Sequence, residues 1–232
     1  MRQVVLDTET TGLSWEKGNR VVEIGCVEII QRRKTGRTFQ RYLNPERDME
    51  FGAQEVTGLS REFLSDKSKF IEVVDEFLDF IRGAELIIHN ANFDIGFLNN
   101  ELTLVGSHVG RMSDHASVLD TLAMARERFP GQRNSLDALC KRLDVNNNHR
   151  TLHGALLDAE LLSEVYLTMT AGQGDLGLSN NEAPAKRSNI SVSTLGHVAN
   201  KVLLASTEEL VVHAARLEKI AKKSGGHLQW SP

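Results

Sequence analysis

Residues 2–12 read RQVVLDTETTG, and residues 20–30 read RVVEIGCVEII. Both runs are rich in β-branched residues and are separated by a glycine-containing loop, so we predict strands over residues 2–7 and 20–30. A third strand is expected over residues 38–43, after a turn at residues 34–36. Three successive strands with short connections favour an antiparallel meander.

The pattern then changes to alternating helices and strands. Apolar spacing predicts an amphipathic helix over residues 70–81, which ends at Gly83. Residues 85–89, ELIIH, predict a short strand, and residues 93–105 return to helical spacing, so the sheet continues through crossover connections. The remaining predicted elements are a strand at 118–120 and helices at 121–129, 135–143 and 154–170. The sequence therefore predicts an α/β fold with a mixed five-stranded sheet and flanking helices.

The composition changes after residue 170. Residues 171–189 are rich in Gly, Ser, Asn and Asp and contain almost no large apolar side chains, which is typical of a flexible linker. The predicted organisation is a domain over residues 1–170, a linker over residues 171–189 and a small helical tail over residues 190–232.

The tail carries its own structural signals. A strand is expected at residues 202–205 and a helix at residues 206–223, with Ser206 and Glu209 in capping-box spacing. A tail of about forty residues is too small to bury a stable core alone. We therefore expect its apolar stripe to pack on another chain.

Length and charge restrict the function. A chain of 232 residues accommodates one well-buried domain with a short appendage. A formal net charge of −4 argues against a protein that holds nucleic acid through a broad basic face. If the chain acts on DNA, it must bind the DNA locally, through cations in a carboxylate pocket and contacts to a few nucleotides.

The cysteines and the apolar runs indicate the compartment. Cys26 and Cys140 lie in apolar stretches without metal-type spacing, so we expect buried free thiols in a reducing cytoplasm. We find no secretory signal pattern and no apolar run as long as a membrane span. A cytoplasmic protein without a membrane partner is expected.

Three acidic residues follow predicted strands. Asp7 and Glu9 lie two apart at the end of the first strand, so both carboxylates should face the same side. Taken alone, acidic residues at strand ends are usually solvated. Asp94 follows a second strand where a helix begins, and open α/β sheets tend to place ligands there. The alternative for Asp94 is a helix-start carboxylate favoured by the helix dipole.

Asp158 and His153 lie at the last helix of the domain. Asp158 has apolar neighbours, and an ionised side chain there is costly without a partner. Five helical steps would place His153 and Asp158 roughly 140° apart on a straight helix. We therefore place His153 on the loop before the helix, from which its ring could reach Asp158. A lone histidine on such a loop would otherwise simply be exposed.

The combined residue types point to metal chemistry. Four carboxylates are the hard oxygen ligands that Mg²⁺ or Mn²⁺ prefers, and the sequence lacks clusters typical of zinc. Two such ions about 3.5–4 Å apart can bracket a phosphodiester. A neutral histidine nearby can take a proton from the attacking water.

Three segments resemble the motifs of one enzyme family. DTETTG at 7–12, HNANFDIGFL at 89–98 and HGALLD at 153–158 resemble the three motifs of the DEDDh family of 3′-to-5′ exonucleases. Residues 2–170 as a whole, and much of the tail, resemble its members that proofread for replicative DNA polymerases. The resemblance implies an RNase H-like fold and release of 5′-mononucleotides from a single-stranded 3′ end of DNA.

The resemblance also assigns site residues. It implies two divalent cations, Mg²⁺ or Mn²⁺, and a general base, His153. The implied metal ligands are Asp7, Glu9, Asp94 and Asp158. The implied substrate-binding residues are Asp7, Glu9, Thr10, Thr57 and Asp158. The sequence departs from the family at Thr57, where a histidine is common, and Gly52 falls near an acidic position of the family. Thr57 could still donate one hydrogen bond to the substrate from its hydroxyl.

Partners are implied in the same way. The tail is expected to bind the catalytic (alpha) subunit of the polymerase, and the nuclease domain a small accessory (theta-type) subunit. Gln173, Leu176 and Leu178 in the segment QGDLGL resemble a peptide that binds the sliding clamp.

Two other functions compete with proofreading. An RNA-trimming exonuclease of the same family would use the same five residues, although the appended linker and tail argue against it. A non-catalytic replisome scaffold with a decayed nuclease site is the second alternative. The intact acidic set and His153 argue against that reading.

Overall fold

The computed structural model describes residues 1–148, 150, 152–171 and 205–223. The chain divides into two compact units. The first contains every described residue up to 171, and the second contains residues 205–223. The predicted clamp-binding residues Gln173, Leu176 and Leu178, and most of the predicted linker, lie outside the described residues.

The first unit is built on a mixed five-stranded sheet, as predicted. Its strand order is β3-β2-β1-β4-β5. The strands are β1 (Arg2–Thr10), β2 (Val21–Ile30), β3 (Arg33–Tyr42), β4 (Glu85–Ile88) and β5 (Ser117–Asp120). Strands β1, β2 and β3 form the predicted antiparallel meander, and β1, β4 and β5 are parallel to one another.

Eight helices of the first unit surround the sheet in the described residues. They are α1 (Phe51–Thr57), α2 (Arg61–Ser65), α3 (Phe70–Ile81), α4 (Ala91–Val105), α5 (Met112–His115), α6 (Thr121–Arg128), α7 (Leu136–Arg142) and α8 (Ala155–Met169). Two 3₁₀ turns are also present, Trp15–Lys17 and Ser107–Val109. The prediction missed α1, α2 and α5, because helices of one or two turns are too short to show a reliable period.

The hairpin between β2 and β3 differs from the prediction. The turn expected at residues 34–36 is wrong, because β3 has already begun at Arg33. Gln31 and Arg32 form the turn instead, with φ values of 49° and 62°, as a two-residue type I′ hairpin requires. Gly36, with φ 84°, lies inside β3, where the β2–β3 register shifts. The glycine therefore accompanies an irregularity in the strand pair and not the turn.

Strand β1 extends beyond its predicted end at Asp7. Asp7 lies opposite Gly25 of β2, and Glu9 lies opposite Glu23. The strand continues because β2 supplies pairing partners as far as Thr10. Asp7 and Glu9 are thus held by the paired backbone of the sheet and not by a terminal turn.

Apolar side chains fill both faces of the sheet. One cluster joins β1, β2 and β4 to α3 and α4, and the other joins the sheet to α7 and α8. Cys26 lies in the first cluster and Cys140 in the second, and both are buried and free, as predicted. A Cβ atom added at Gly25 would lie 2.2 Å from the carbonyl carbon of Ala155. Gly25 therefore permits the start of α8 to lie directly on β2.

The second unit contains α9 (Thr207–Lys223), which confirms the predicted helix. Ser206 N–H donates to Glu209 Oε2 at 2.8 Å, and Glu209 N–H donates to Ser206 Oγ at 3.2 Å. These two bonds form the predicted capping box. Residues 202–204 of the predicted strand lie outside the described residues. Within the described parts of the chain, no helix has the length and apolarity to span a membrane.

Candidate active site

Residues from three elements and one loop converge on one cleft. Asp7 and Glu9 come from β1, Asp94 from α4 and Asp158 from α8, and all four line a cleft of about 440 Å³. His153 lines the same cleft. The structure therefore brings together all five residues that the sequence nominated for metal binding and proton transfer.

Asp94 is fixed by the β4–α4 junction. The chain leaves β4 through Asn90 in the left-handed conformation, with φ 66°, and α4 begins at Ala91, two residues before its predicted start. Asp94 therefore lies in the first turn, where it is 3% exposed. Its Oδ1 accepts hydrogen bonds from Thr8 N–H at 3.1 Å and from the Thr8 hydroxyl at 2.7 Å. These bonds tie the start of α4 to β1 between Asp7 and Glu9.

His153 lies on the loop before α8, ahead of the N-cap residue Gly154. Its backbone N–H donates to the Val56 carbonyl at 3.0 Å, which attaches this loop to the end of α1. Its Nδ1 lies 3.4 Å from Asp158 Oδ2, and its side chain is 44% exposed. The ring therefore contacts Asp158 and remains accessible from solvent.

Arg150 was not identified from the sequence. Its Nε donates to Asp158 Oδ1 at 2.5 Å and its Nη2 to Asp158 Oδ2 at 2.6 Å. Nη1 donates to Asp137 Oδ1 at 2.7 Å, and Nη2 lies 2.8 Å from His153 Nδ1. The only sequence signal was its position three residues before His153, which does not distinguish it from a surface arginine.

The carboxylates differ in their electrostatic environment. Burial, with the charges of Asp158 and Glu23, raises the pKa of Glu9 to about 8. Burial also raises the pKa of Asp94 to about 7, although hydrogen bonds from Thr8 oppose it. Asp7 has a pKa well above its ordinary value because it is buried beside Asp94 and Glu9.

Asp158 is the exception. Burial raises its pKa, but the contacts of Asp158 with His153 and Arg150 and the charge of Arg150 outweigh that effect, so the pKa of Asp158 lies below its ordinary value. Asp7, Glu9 and Asp94 thus resist ionisation, whereas the ionised form of Asp158 is stabilised by a cationic side chain.

The donor set fits a divalent cation. Glu9 Oε1 is buried without a hydrogen-bond partner, and it is the only such side-chain atom among the described residues. Ligand atoms of Glu9, His153 and Asp158 lie within 4.8 Å of one another. A buried oxygen without a donor is costly, and a hard cation would supply the missing partner. His153 therefore lies close enough to Glu9 and Asp158 to be a further candidate ligand.

A second pocket adjoins the cleft. It has a volume of about 340 Å³ and shares Thr8, Glu9, Leu13 and Phe93 with the cleft. Its other lining residues are Thr10, Gly12, Glu50, Gly52, Ala53, Val56 and Thr57. The pocket and the cleft therefore share part of one wall.

The two threonines nominated for substrate contact face inward. The Thr57 hydroxyl donates to the Ala53 carbonyl at 2.9 Å and accepts from Leu59 N–H at 3.2 Å. In this structure the single proton of the Thr57 hydroxyl is used inside the chain, and its donation to a substrate stays a prediction. The Thr10 hydroxyl likewise donates to the Gly12 carbonyl at 2.8 Å.

The fold and the cleft define a nuclease, and the comparisons agree. Residues 4–166 match the family model described as Exonuclease. Exonuclease X, solved with 5′-overhanging duplex DNA, superimposes with a TM-score of 0.59 at 23% identity, covering 74% of this chain and 93% of that one. Exonuclease I from Methylocaldum szegediense gives 0.62 at 16% identity, covering 74% and 41%. At these identities the likeness concerns the fold, and the expected RNase H-like class is confirmed.

Curated relatives of known name indicate the group within the family to which the chain belongs. DNA polymerase III subunit epsilon of Salmonella typhimurium is 48% identical, covering 98% of this chain and 96% of the relative. The same subunit from Escherichia coli K12 is 47% identical with the same coverage, and that of Rickettsia felis is 44% identical, covering 96% and 98%. The chain belongs to the exonuclease family and, within it, to the epsilon subunits of DNA polymerase III.

Proposed function

We propose that this 3′-to-5′ proofreading exonuclease removes mispaired 3′-terminal nucleotides from DNA with two divalent cations, Mg²⁺ or Mn²⁺. The proposed ligands are Asp7, Glu9, Asp94 and Asp158. The observation that carries the proposal is the convergence of four carboxylates, one with a buried oxygen that lacks a donor. Exonucleases of this family use divalent metal ions, and this arrangement provides the oxygen ligands they require.

Each proposed site residue has a proposed task. When bound, the cations would activate a water molecule and stabilise the leaving oxygen. Asp7 and Glu9 offer ligands from a paired strand, so their positions change little when a ligand binds. His153, on an exposed loop beside Asp158, takes the proton of the attacking water, a role that typically contributes about 10² to 10⁴ in rate.

The adjoining pocket receives the nucleotide that is removed. Leu13, Val56 and Phe93 provide apolar surface for a base. With the hydroxyls of Thr10 and Thr57 turned inward, the pocket recognises the nucleotide by shape and stacking more than by hydrogen bonds. This suits an enzyme that has to accept any mispaired base.

The second unit provides a surface for the polymerase. Helix α9 exposes Leu210, Val211, Val212 and Ile220, and we assign this helix to binding of the catalytic (alpha) subunit. The segment with Gln173, Leu176 and Leu178 is assigned to the sliding clamp, and the nuclease unit to a small accessory (theta-type) subunit. The relatives are named as subunits of DNA polymerase III, which supports membership of that assembly.

One assay tests the proposed activity. Mononucleotide release is measured from 3′-mismatched DNA and from RNA of equal length, with Mg²⁺ and with EDTA, for the wild type and His153→Ala. We expect metal-dependent release from DNA, reduced about 10²-fold or more in the variant. Preferential degradation of RNA would instead indicate the RNA-trimming enzyme. Absence of hydrolysis from both substrates by folded protein would leave the scaffold reading.

Removing residues 190–232 tests the assignment of the tail. We expect the truncated chain to hydrolyse short single-stranded DNA at the wild-type rate and to lose binding to the polymerase subunit, because every described residue that lines the cleft belongs to the first unit. Hydrolysis is followed by mononucleotide release and binding by co-elution in gel filtration. A truncated chain that still co-elutes with the polymerase subunit argues against the assignment.

A further inference from the structure

Arg150 is unusual among the residues of the cleft. It is the only lysine or arginine among the described lining residues, which include five carboxylates, the four proposed ligands and Asp137. Its side chain is 6% exposed. A guanidinium buried to this extent is favourable only where carboxylates pair with it. Arg150 therefore balances part of the negative charge in the metal-free cleft.

We propose that Arg150 is a positioning residue that holds Asp158 and His153 in the metal-free protein and must release them when a cation binds. The side chain thereby competes with the cation and sets the affinity of the site. The inference rests on the metal site of the proposed function and concerns a residue outside the proposed ligand set.

Asp158 is the first side chain of the cleft that Arg150 contacts. Both of its oxygens accept hydrogen bonds from Arg150, at 2.5 and 2.6 Å. This two-point contact is the strong, geometrically specific form of an arginine–carboxylate pair. A divalent cation bound to the same carboxylate would lie within a few ångströms of the guanidinium, and the two positive charges repel. Binding of the cation at Asp158 therefore requires at least part of this contact to open.

His153 is the second side chain of the cleft that Arg150 contacts. Arginine is always a donor, so at 2.8 Å from Arg150 Nη2 the Nδ1 atom of His153 must be the acceptor. A neutral imidazole with Nδ1 as acceptor carries its proton on Nε2. One ring nitrogen is then occupied and the other is protonated, so the ring has no free lone pair for a proton from water. Release of Arg150 frees His153 as well as Asp158.

Arg150 also contacts a third side chain, Asp137. Its Nη1 donates to Asp137 Oδ1 at 2.7 Å, and the Asp137 side chain on α7 is 59% exposed. This carboxylate lies at the rim of the cleft and is outside the proposed ligand set. Arg150 can therefore leave Asp158 and still retain a charged partner, which makes the release reversible.

The test is a calorimetric titration of Mn²⁺ into the full chain without DNA. Variants are Arg150→Gln, Arg150→Lys and a matched control, Arg142→Gln. Arg142 donates to Asn134 Oδ1 and to the Arg133 carbonyl and does not line the cleft. We expect Arg150→Gln to bind Mn²⁺ at least about fivefold more tightly than the wild type. Arg150→Lys, which keeps a cation without the planar fork, should show a smaller gain, and the control none.

The direction of the change separates this role from a structural one. A residue that merely held the loop in place would, when removed, disorder Asp158 and weaken Mn²⁺ binding. Unchanged or weaker binding by folded Arg150→Gln overturns the inference. If that variant does not fold, as judged by thermal melting, Arg150→Lys decides by the same criterion. Absence of Mn²⁺ binding by the wild type would overturn the proposed metal site itself, so the two failures are distinguishable.

Discussion

The two ends of strand β2 bury carboxylates in opposite ways. At one end, Glu28 is 1% exposed and accepts hydrogen bonds from Arg2 at 2.7 Å, Arg37 at 2.9 Å and Thr35 at 2.8 Å. Burial raises its pKa, but the bonds from Arg2 and Thr35 and the arginine charges outweigh burial, so the pKa of Glu28 lies below its ordinary value. This end is a satisfied ion-pair network.

At the other end, Glu23 lies opposite Glu9 of β1. Glu23 accepts from Ala155 N–H at 3.0 Å and from Gln40 at 2.8 Å, whereas Glu9 has a buried oxygen with no donor and a pKa of about 8. The same strand pair thus carries one carboxylate, Glu23, that accepts hydrogen bonds from the chain, and one, Glu9, with a buried oxygen that has no donor. A deficit of hydrogen-bond donors, more than burial alone, therefore marks the end of the sheet that carries the candidate site.

The largest expected effect is on hydrolysis. Asp7→Asn should lower kcat on the order of 10⁴-fold, as for members of a catalytic unit, because it removes a proposed ligand. Glu28→Gln should leave kcat unchanged, because its partners are arginines of the chain. Single-turnover release of mononucleotide measures both. An active Asp7→Asn variant, or loss of activity in a folded Glu28→Gln variant, would contradict this difference between the two ends of β2.

The next effect is on stability as a function of pH. The folded-state pKa values of Glu9 and Asp94, about 8 and about 7, exceed their ordinary values of 4.5 and 3.8. Stability from these groups is fully present below the ordinary values and is lost as pH rises through the folded values. In EDTA we expect the melting temperature to fall by roughly 5 °C or more between pH 5 and pH 9.

Addition of Mg²⁺ should suppress most of that fall, because the cation stabilises the ionised carboxylates. Calorimetry or fluorescence melting at both pH values provides the measurement. A melting temperature that declines equally with and without Mg²⁺ would contradict the proposal that the cation stabilises the ionised carboxylates of this cleft.

Two neutralising substitutions should have opposite effects on the metal-free chain. At pH 9, Glu9→Gln removes a buried charge without a donor and should stabilise the fold by about 1 kcal/mol or more. Glu28→Gln leaves Arg2 and Arg37 without their carboxylate and should cost about 1–3 kcal/mol. Urea denaturation in EDTA measures both changes. Destabilisation of equal size in both variants would remove the distinction between the two ends.

The smallest expected effect concerns how close α8 lies to the sheet. Gly25→Ala places a Cβ 2.2 Å from the Ala155 carbonyl carbon, and such overpacking typically costs about 1–3 kcal/mol. It should also weaken Mn²⁺ binding, because α8 carries Asp158. For stability alone, Gly52→Ala is a suitable control, since its Cβ would meet nothing within 4 Å and alanine favours a helix. A Gly25→Ala variant as stable as the wild type would show that the contact is easily relieved.

Much of the fold could be predicted because it is encoded in local patterns. The β-branched runs of the meander and the apolar spacing of α3 and α8 require no knowledge of distant residues. The hairpin was misplaced because Gly36 suggested a turn, whereas the φ values of Gln31 and Arg32 follow from the pairing of two strands. The extension of β1 past Asp7 likewise depends on β2, which a local pattern does not reveal.

The site shows the same limit. The proposed ligands could be nominated because their spacing on a strand, a junction and a helix matches a family motif. Arg150 could not, since its contacts arise from the path of a loop that returns to α8. The inward orientation of the Thr57 hydroxyl depends on the carbonyl of Ala53 one turn earlier, a detail that residue type alone does not supply.

The most direct test of the difference between the two ends is a crystal of the full chain grown with Mn²⁺, with the ions located by anomalous scattering. We predict two peaks about 3.5–4 Å apart among Asp7, Glu9, Asp94 and Asp158, with Arg150 withdrawn from Asp158, and no peak at Glu28. A cleft without a peak, at a Mn²⁺ concentration that supports hydrolysis in solution, would contradict the proposal that these four carboxylates bind the cations.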